Sequence, residues 1–253
     1  MVTGHVLYGS GPEHVMVLPG APGDHSSFSP LFPFLDAATF TYACIDYRGV
    51  GRSRRIAGNY TIAELTGDIL DVADHLKWQQ FHVVGHSFGG MLAQRLAVDA
   101  QQRIKSAITA APVPACGLHL DEAGRTFMLS AVENNENLRT AMRQVTGNRL
   151  SAAWIDWLLK RARETTTRKA LRGYMKLAMD EDFADRLAGI STPFLVLVGE
   201  HDPVYTATLM RSTLAAWLPN AAIEVLANCS HYPMQEIPAY FATRIEEFMK
   251  KKG

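Results

Sequence analysis

Ser87 has a glycine two residues away on each side, in Gly85-His86-Ser87-Phe88-Gly89. A serine hydroxyl is a poor nucleophile near neutral pH unless a base accepts its proton and the backbone presents it to a substrate. Its surroundings here suit that task. Phe81 to Gly85 is a short run rich in β-formers, and Met91, Leu92, Arg95 and Val98 follow at helical spacing. The pattern is G-x-S-x-G at a strand-to-helix turn, the context that gives the motif its meaning. Such a turn strains the backbone at Ser87, and glycines at 85 and 89 let neighbouring backbone pass without a Cβ clash. Ser87 Oγ then projects at the carboxyl end of a sheet, above the positive end of the next helix.

A base must be found among nine histidines. His231 lies between the last strand and the last helix, in a loop that can fold back over the sheet end, and is the expected base. His86 is held in the same tight turn as the serine and His82 lies inside a strand. His201, in another loop after a strand, is the nearest competitor. The base in turn needs a carboxylate to fix its tautomer. Asp202 follows the strand 194–198 and gives the chain order Ser, Asp, His, with Glu200 as a possible substitute. Donors for a developing oxyanion are expected from the backbone N–H of Phe88 and of Ala21, each worth about 3 kcal/mol of transition-state stabilisation.

These loops need strands to deliver them. Apolar runs predict strands at 5–8, 14–18, 40–45, 81–85, 106–110, 194–198 and 222–226. Between them, short helical patterns are read at 28–35, from Thr61 and Glu64 onward (capping-box spacing), at 207–217 and over the closing stretch from Ile237. From Gly117 to Gly189 the alternation stops and several helical stripes follow. Strands alternating with helices imply a mostly parallel sheet with helices on both faces, and active groups gather outside the carboxyl ends of its strands.

The whole-chain figures narrow the partners. Lys plus Arg and Asp plus Glu both number 25, so no basic excess tracks a phosphate backbone and no nucleic-acid partner is expected. The 47% hydrophobic and 20% charged composition is that of a globular domain. Cys44, Cys116 and Cys229 lack metal-type spacing, so no metal or cofactor is called for and reduced thiols are expected. Neither a signal-peptide pattern nor a long apolar run is visible, so a cytoplasmic protein with no membrane partner is expected, as a monomer or homodimer.

With these residues in hand, the chain resembles the α/β-hydrolase superfamily, and within it the compact enzymes with a helical cap. The resemblance rests on Gly85-His86-Ser87-Phe88-Gly89-Gly90, on Asp46-Tyr47-Arg48-Gly49-Val50-Gly51-Arg52-Ser53, on Gly199-Glu200-His201-Asp202-Pro203 and on His231. It implies an α/β-hydrolase core over residues 1–116 and 190–253, with 117–189 as the cap. It implies Ser87 as nucleophile, Asp202 as acid, His231 as base and an oxyanion hole at Ala21 and Phe88. Two departures stand out: Pro19-Gly20 replaces the family's His-Gly, and the first strands look short enough for the sheet to lack an edge strand. A serine at residue 87, rather than an aspartate, points to attack on an acyl carbon. The implied substrate is a small to medium apolar or aromatic carboxylic ester or lactone. C–C bond hydrolysis, or a ligand receptor with slow residual hydrolysis, is the alternative. Met128, Trp154, Trp157 and Met175 of the cap are expected to line the substrate site.

Overall fold

The computed structural model describes residues 2–252. Seven strands form one sheet: β1 (His5–Gly9), β2 (Glu13–Leu18), β3 (Phe40–Ile45), β4 (Phe81–His86), β5 (Ile104–Ala110), β6 (Phe194–Gly199) and β7 (Ala221–Leu226). Their order is β1-β3-β2-β4-β5-β6-β7, with β1 antiparallel to β3 and the other pairings parallel. This is the expected α/β-hydrolase sheet, and β4, which carries the serine turn, lies at its centre. At five residues β1 is one shorter than β2 and β3, which match β4, β6 and β7 at six, and β1 forms one edge.

The strands read as apolar runs because both faces are covered. Met16 and Leu18 of β2 join one core while Val15 and Val17 join the other, the two-residue alternation of a pleated strand. Against the first face pack α1 (Ile62–His75) and α2 (Phe88–Asp99), through Leu65, Ile69, Val72, Met91, Leu92 and Leu96. The helices α7 (Ala207–Ser212) and α8 (Leu214–Trp217) complete that layer. On the other face, α10 (Pro238–Lys250) buries Phe241, Ile245 and Met249 beside Phe28 and Leu31, just after the short α9 (Pro233–Glu236).

Three local expectations are revised. Residues 25–34 form a 3-10 rather than an α-helix, because Pro30 and Pro33 lack the N–H that i→i−4 bonding needs. The expected helix 207–217 breaks at Thr213, whose hydroxyl donates back to Leu209 O while its backbone leaves the helical region. At the head of α1, Thr61 Oγ1 accepts from Glu64 N, but the Glu64 carboxylate takes Tyr60 N instead of completing the box.

Between β5 and β6 lie α3 (Glu122–Glu133), α4 (Asn135–Val145), α5 (Ala152–Thr165) and α6 (Arg168–Asp180). Each starts on a side-chain cap, from Asp121, Asn134, Ser151 and Thr167 in turn. The first three enclose a small core of their own around Leu138, Met142, Ile155 and Leu158. The fourth is welded to the main core through Ala170, Tyr174, Leu177 and Ala178. This helical insertion therefore sits on the carboxyl ends of the strands, tethered by the short Tyr174 Oη to Arg48 O bond and by Thr167 N to Gly49 O (2.9 Å).

Candidate active site

Ser87 ends β4 with φ 51° and ψ −114°, a conformation that a side-chain-bearing residue holds only under constraint. The constraint is the packing of the turn. A Cβ on Gly89 would lie 2.1 Å from Leu18 O, and one on Gly85 would lie 2.3 Å from Gly89 O. Only bare backbone lets α2 start this close to β2. The turn is then pinned by Ser87 N to Ala110 O (2.9 Å) and by Val113 N to Ser87 O (3.0 Å).

Asp202 and His231 reach the same place from the ends of β6 and β7. Their loops are laced together: His201 N donates to Cys229 O and Asn228 N to a Glu200 carboxylate oxygen. Gly199 allows the approach, since a Cβ there would sit 2.1 Å from Ser230 O. Glu236 locks the histidine loop by accepting from Ser230 N, Ser230 Oγ and Tyr232 N. Within this frame His231 Nδ1 lies 2.7 Å from Asp202 Oδ2, both groups buried. A carboxylate only accepts, so Nδ1 carries the proton and Nε2 is left as a base. The other oxygen, Oδ1, accepts from the N–H groups of Val204 and Tyr205 at 2.9 Å each.

Ser87 and His231 line one cavity together, with no hydrogen bond between their side chains among the described residues. Such contacts commonly tighten only when substrate is bound. The competing histidines are placed elsewhere. His201 is part-exposed beside Glu200 at 3.5 Å. His82 hydrogen-bonds Ser106 inside the sheet, and burial pushes its pKa down to about 4. His86 is fully enclosed, with burial and then the nearby His231 holding its pKa well below the usual imidazole value. Its neutral ring donates from Nε2 to His231 O (2.9 Å) and so braces the His231 loop from behind. Glu200 is engaged with Asn228 and does not take the place of Asp202.

Ala21 and Phe88 also border the cavity. Among the described residues, neither backbone N–H donates to a protein acceptor. The loop bearing Ala21 is held by Tyr47, whose phenol donates to Pro19 O at 3.0 Å. Tyr47 packs edge-on against Phe88, and Tyr174 stacks on Phe88 at 5.2 Å. The Asp46–Ser53 loop thereby supports both amides. Asp46 accepts from His25 N and Arg52 N, and the Arg48 fork is bidentate to Asp68. In the cluster of Asp24, His25 and Asp46, the carboxylates accept from these amides and from Arg161, and His25 Nδ1 lies 2.9 Å from Asp46 Oδ2.

The rest of the cavity is hydrocarbon. Met128, Val132, Leu138, Met142, Val145, Leu171, Met175 and Ala178 come from the insertion, and Tyr174, Tyr205 and Tyr232 add aromatic wall. Two of the four residues expected there, Met128 and Met175, are in place. Trp154 and Trp157 are not. The buried stripe of α5 is Ile155, Leu158, Leu159 and Ala162, so Trp157 points outward at 43% exposure. Trp154 packs behind the wall, edge-on to Tyr232 at 5.1 Å. Among the described lining residues there is no Lys, Arg, Asp or Glu. Arg125 and Arg139 pair with acidic neighbours on the outer surface. Sequence reading missed Tyr205 and Tyr232; the only signal was their position, three residues after Asp202 and one after His231.

A serine in a strained turn, a histidine aligned by a buried carboxylate and two free amides beside them form an arrangement that can support acyl transfer. No helix among the described residues is long and apolar enough to cross a membrane. The profile of the alpha/beta hydrolase fold family matches residues 13–236. The chain is 29% identical over 237 residues to the dihydrolipoyllysine-residue acetyltransferase component of an acetoin cleaving system from Cupriavidus necator. That match covers 90% of this chain but only 61% of the longer relative. A pimeloyl-[acyl-carrier protein] methyl ester esterase from Serratia marcescens is 28% identical over 221 residues, 83% of this chain and 84% of that one. An esterase from Exiguobacterium antarcticum has the same fold, with a TM-score of 0.87 at 19% identity over 97% of this chain and 94% of that chain. The chain belongs to the alpha/beta hydrolase fold family and is a hydrolase.

Proposed function

We propose that this protein is a serine hydrolase that cleaves carboxylic esters, or lactones, with a neutral and apolar acyl group, through an acyl-enzyme intermediate. Ser87 attacks the carbonyl carbon while His231 Nε2 takes its proton, and Asp202 steadies the resulting imidazolium. The carbonyl oxygen gains the electron pair and is held by the N–H groups of Ala21 and Phe88. His231 then returns the proton to the leaving alcohol, and a water activated by the same imidazole releases the acid. Residues 117–189 act as the cap that shapes the acyl site.

The single observation that carries this reading is the buried 2.7 Å bond between His231 and Asp202 beside a cavity that Ser87 also lines. The uncharged wall supports one substrate class over another. An acyl group bearing a carboxylate would bury it without a cation, at a cost of several kcal/mol. That weighs against C–C hydrolysis of dicarboxylate substrates and favours plain aliphatic or aromatic acyl esters. The test combines fluorophosphonate labelling with turnover of p-nitrophenyl esters of increasing chain length. Wild type should be labelled at Ser87 and should turn over, whereas Ser87→Ala should do neither. Labelling without turnover would point to a receptor, and Ser87→Ala equal to wild type in both would exclude the enzyme reading.

A further inference from the structure

Tyr205 stands three residues after Asp202, and one carboxylate organises both its position and that of the base. Asp202 Oδ2 holds His231, while Oδ1 accepts the Tyr205 N–H. The Tyr205 ring then lies over the His231 imidazole, with centroids 4.8 Å apart and a tilt of 33°. It is buried and lines the same cavity as Ser87 and His231. Among the described residues the phenol has no hydrogen-bond partner, so its orientation serves neither a core network nor a loop. Burial, then the Asp202 charge, raises its pKa, partly offset by Ser87; the group stays protonated near neutral pH.

We propose that Tyr205 is a further catalytic residue, whose O–H donates a hydrogen bond to Ser87 Oγ while that oxygen carries negative charge. This rests on the reading of Ser87 as nucleophile. In acylation the Oγ proton passes to His231 Nε2, the Oγ–C bond forms and the carbonyl π pair moves onto oxygen. In deacylation the C–Oγ bond breaks, and Oγ keeps the electron pair until it regains its proton from His231. Tyr205 keeps its own proton throughout and shares the charge on Oγ at both stages. A donor to an ionised oxygen is stronger than one to a neutral hydroxyl, so the bond favours the transition states over the resting enzyme.

Tyr205→Phe is the test, because it keeps the ring over His231 and removes one hydroxyl with no structural partner. Three quantities are compared with wild type: the rate of fluorophosphonate labelling at Ser87, kcat and KM for p-nitrophenyl butyrate, and the melting temperature. The expected result is a fall of about 10- to 100-fold in both labelling rate and kcat, with KM and melting temperature unchanged. Labelling and kcat both within twofold of wild type would overturn the role of Tyr205 alone. A wild type that neither reacts with the probe nor hydrolyses the ester would remove the nucleophile assignment, and this proposal with it.

Discussion

Replacing Asp202 with asparagine alters one atom, and the surrounding hydrogen bonds dictate how the new side chain must sit. Two N–H groups, one of the exposed Val204 and one of the buried Tyr205, point at Oδ1 from 2.9 Å. The amide oxygen must stay there, because turning the NH2 toward them leaves both donors unmet at about 1–3 kcal/mol each. With the oxygen so held, the NH2 faces His231 Nδ1 and donates to it. The imidazole is then forced to carry its proton on Nε2, the nitrogen that has to accept from Ser87. A flip costing at least about 2 kcal/mol keeps the productive tautomer below roughly 3% of the population. Lost imidazolium stabilisation adds to that, for a total fall in kcat on the order of 10⁴-fold, or about 5 kcal/mol. The assay is steady-state turnover of p-nitrophenyl butyrate, alongside thermal melting. Asp202→Asn should melt close to wild type because both loop N–H groups remain paired, whereas Asp202→Ala should lose activity and stability together. A kcat for Asp202→Asn within tenfold of wild type, or an equal loss in Glu200→Gln, would refute this reasoning.

Gly89→Ala drives a Cβ into Leu18 O, backbone on both sides, and should cost about 3 kcal/mol in chemical denaturation; an unchanged midpoint would refute the packing argument. Adding a terminal carboxylate to an otherwise good acyl chain should lower kcat/KM by at least about 30-fold, the equivalent of about 2 kcal/mol for an unpartnered buried charge. A carboxylated ester that matches its neutral counterpart would show that the wall admits charge. The Asp46 carboxylate beside His25 Nδ1 raises the His25 pKa above 6.5. A raised folded-state pKa stabilises fully below the unfolded value and is lost as pH rises through the folded one. Wild type should therefore lose melting temperature above pH ~6.5 relative to His25→Gln, and parallel curves for the two proteins would contradict the assignment.

The fold was legible in the sequence because a doubly covered parallel sheet writes its strands as unbroken apolar runs. All seven strands fell within two residues of their expected ends. Errors arose where a side chain competes with the backbone for hydrogen bonds, as Thr213 does, or where prolines remove donors, as at residues 30 and 33. Helix rotation in the insertion was harder to read. Trp154 and Trp157 have the spacing of a shared face, yet the buried stripe of α5 runs one residue further along, through Ile155 and Leu158. Large aromatic residues outweigh smaller aliphatic ones in a hydrophobic pattern, so a stripe defined by Ile, Leu and Ala is easily mistaken for its neighbour.

The residues proposed for chemistry divide along similar lines. Ser87 was read from glycines around its turn, Gly85 and Gly89, and Asp202 and His231 from their loops after strands and the chain order Ser, Asp, His; the structure adds Gly199, which permits the contact between the β6 and β7 loops. Close approach of main chain leaves a mark in the sequence. Tyr205 and Tyr232 left none, since a tyrosine in a loop is compatible with surface, core or pocket. Only the two-sided use of Asp202, one oxygen for the imidazole and one for the Tyr205 amide, sets the phenol in the cavity that Ser87 lines. If that is so, the carboxylate positions two partners of the serine rather than one. Asp202→Asn combined with Tyr205→Phe should then lose less than the product of the single effects, because the first change already disables the proton transfer that the phenol assists. Fully multiplicative losses in kcat would mean that the phenol and the imidazole act on Ser87 independently.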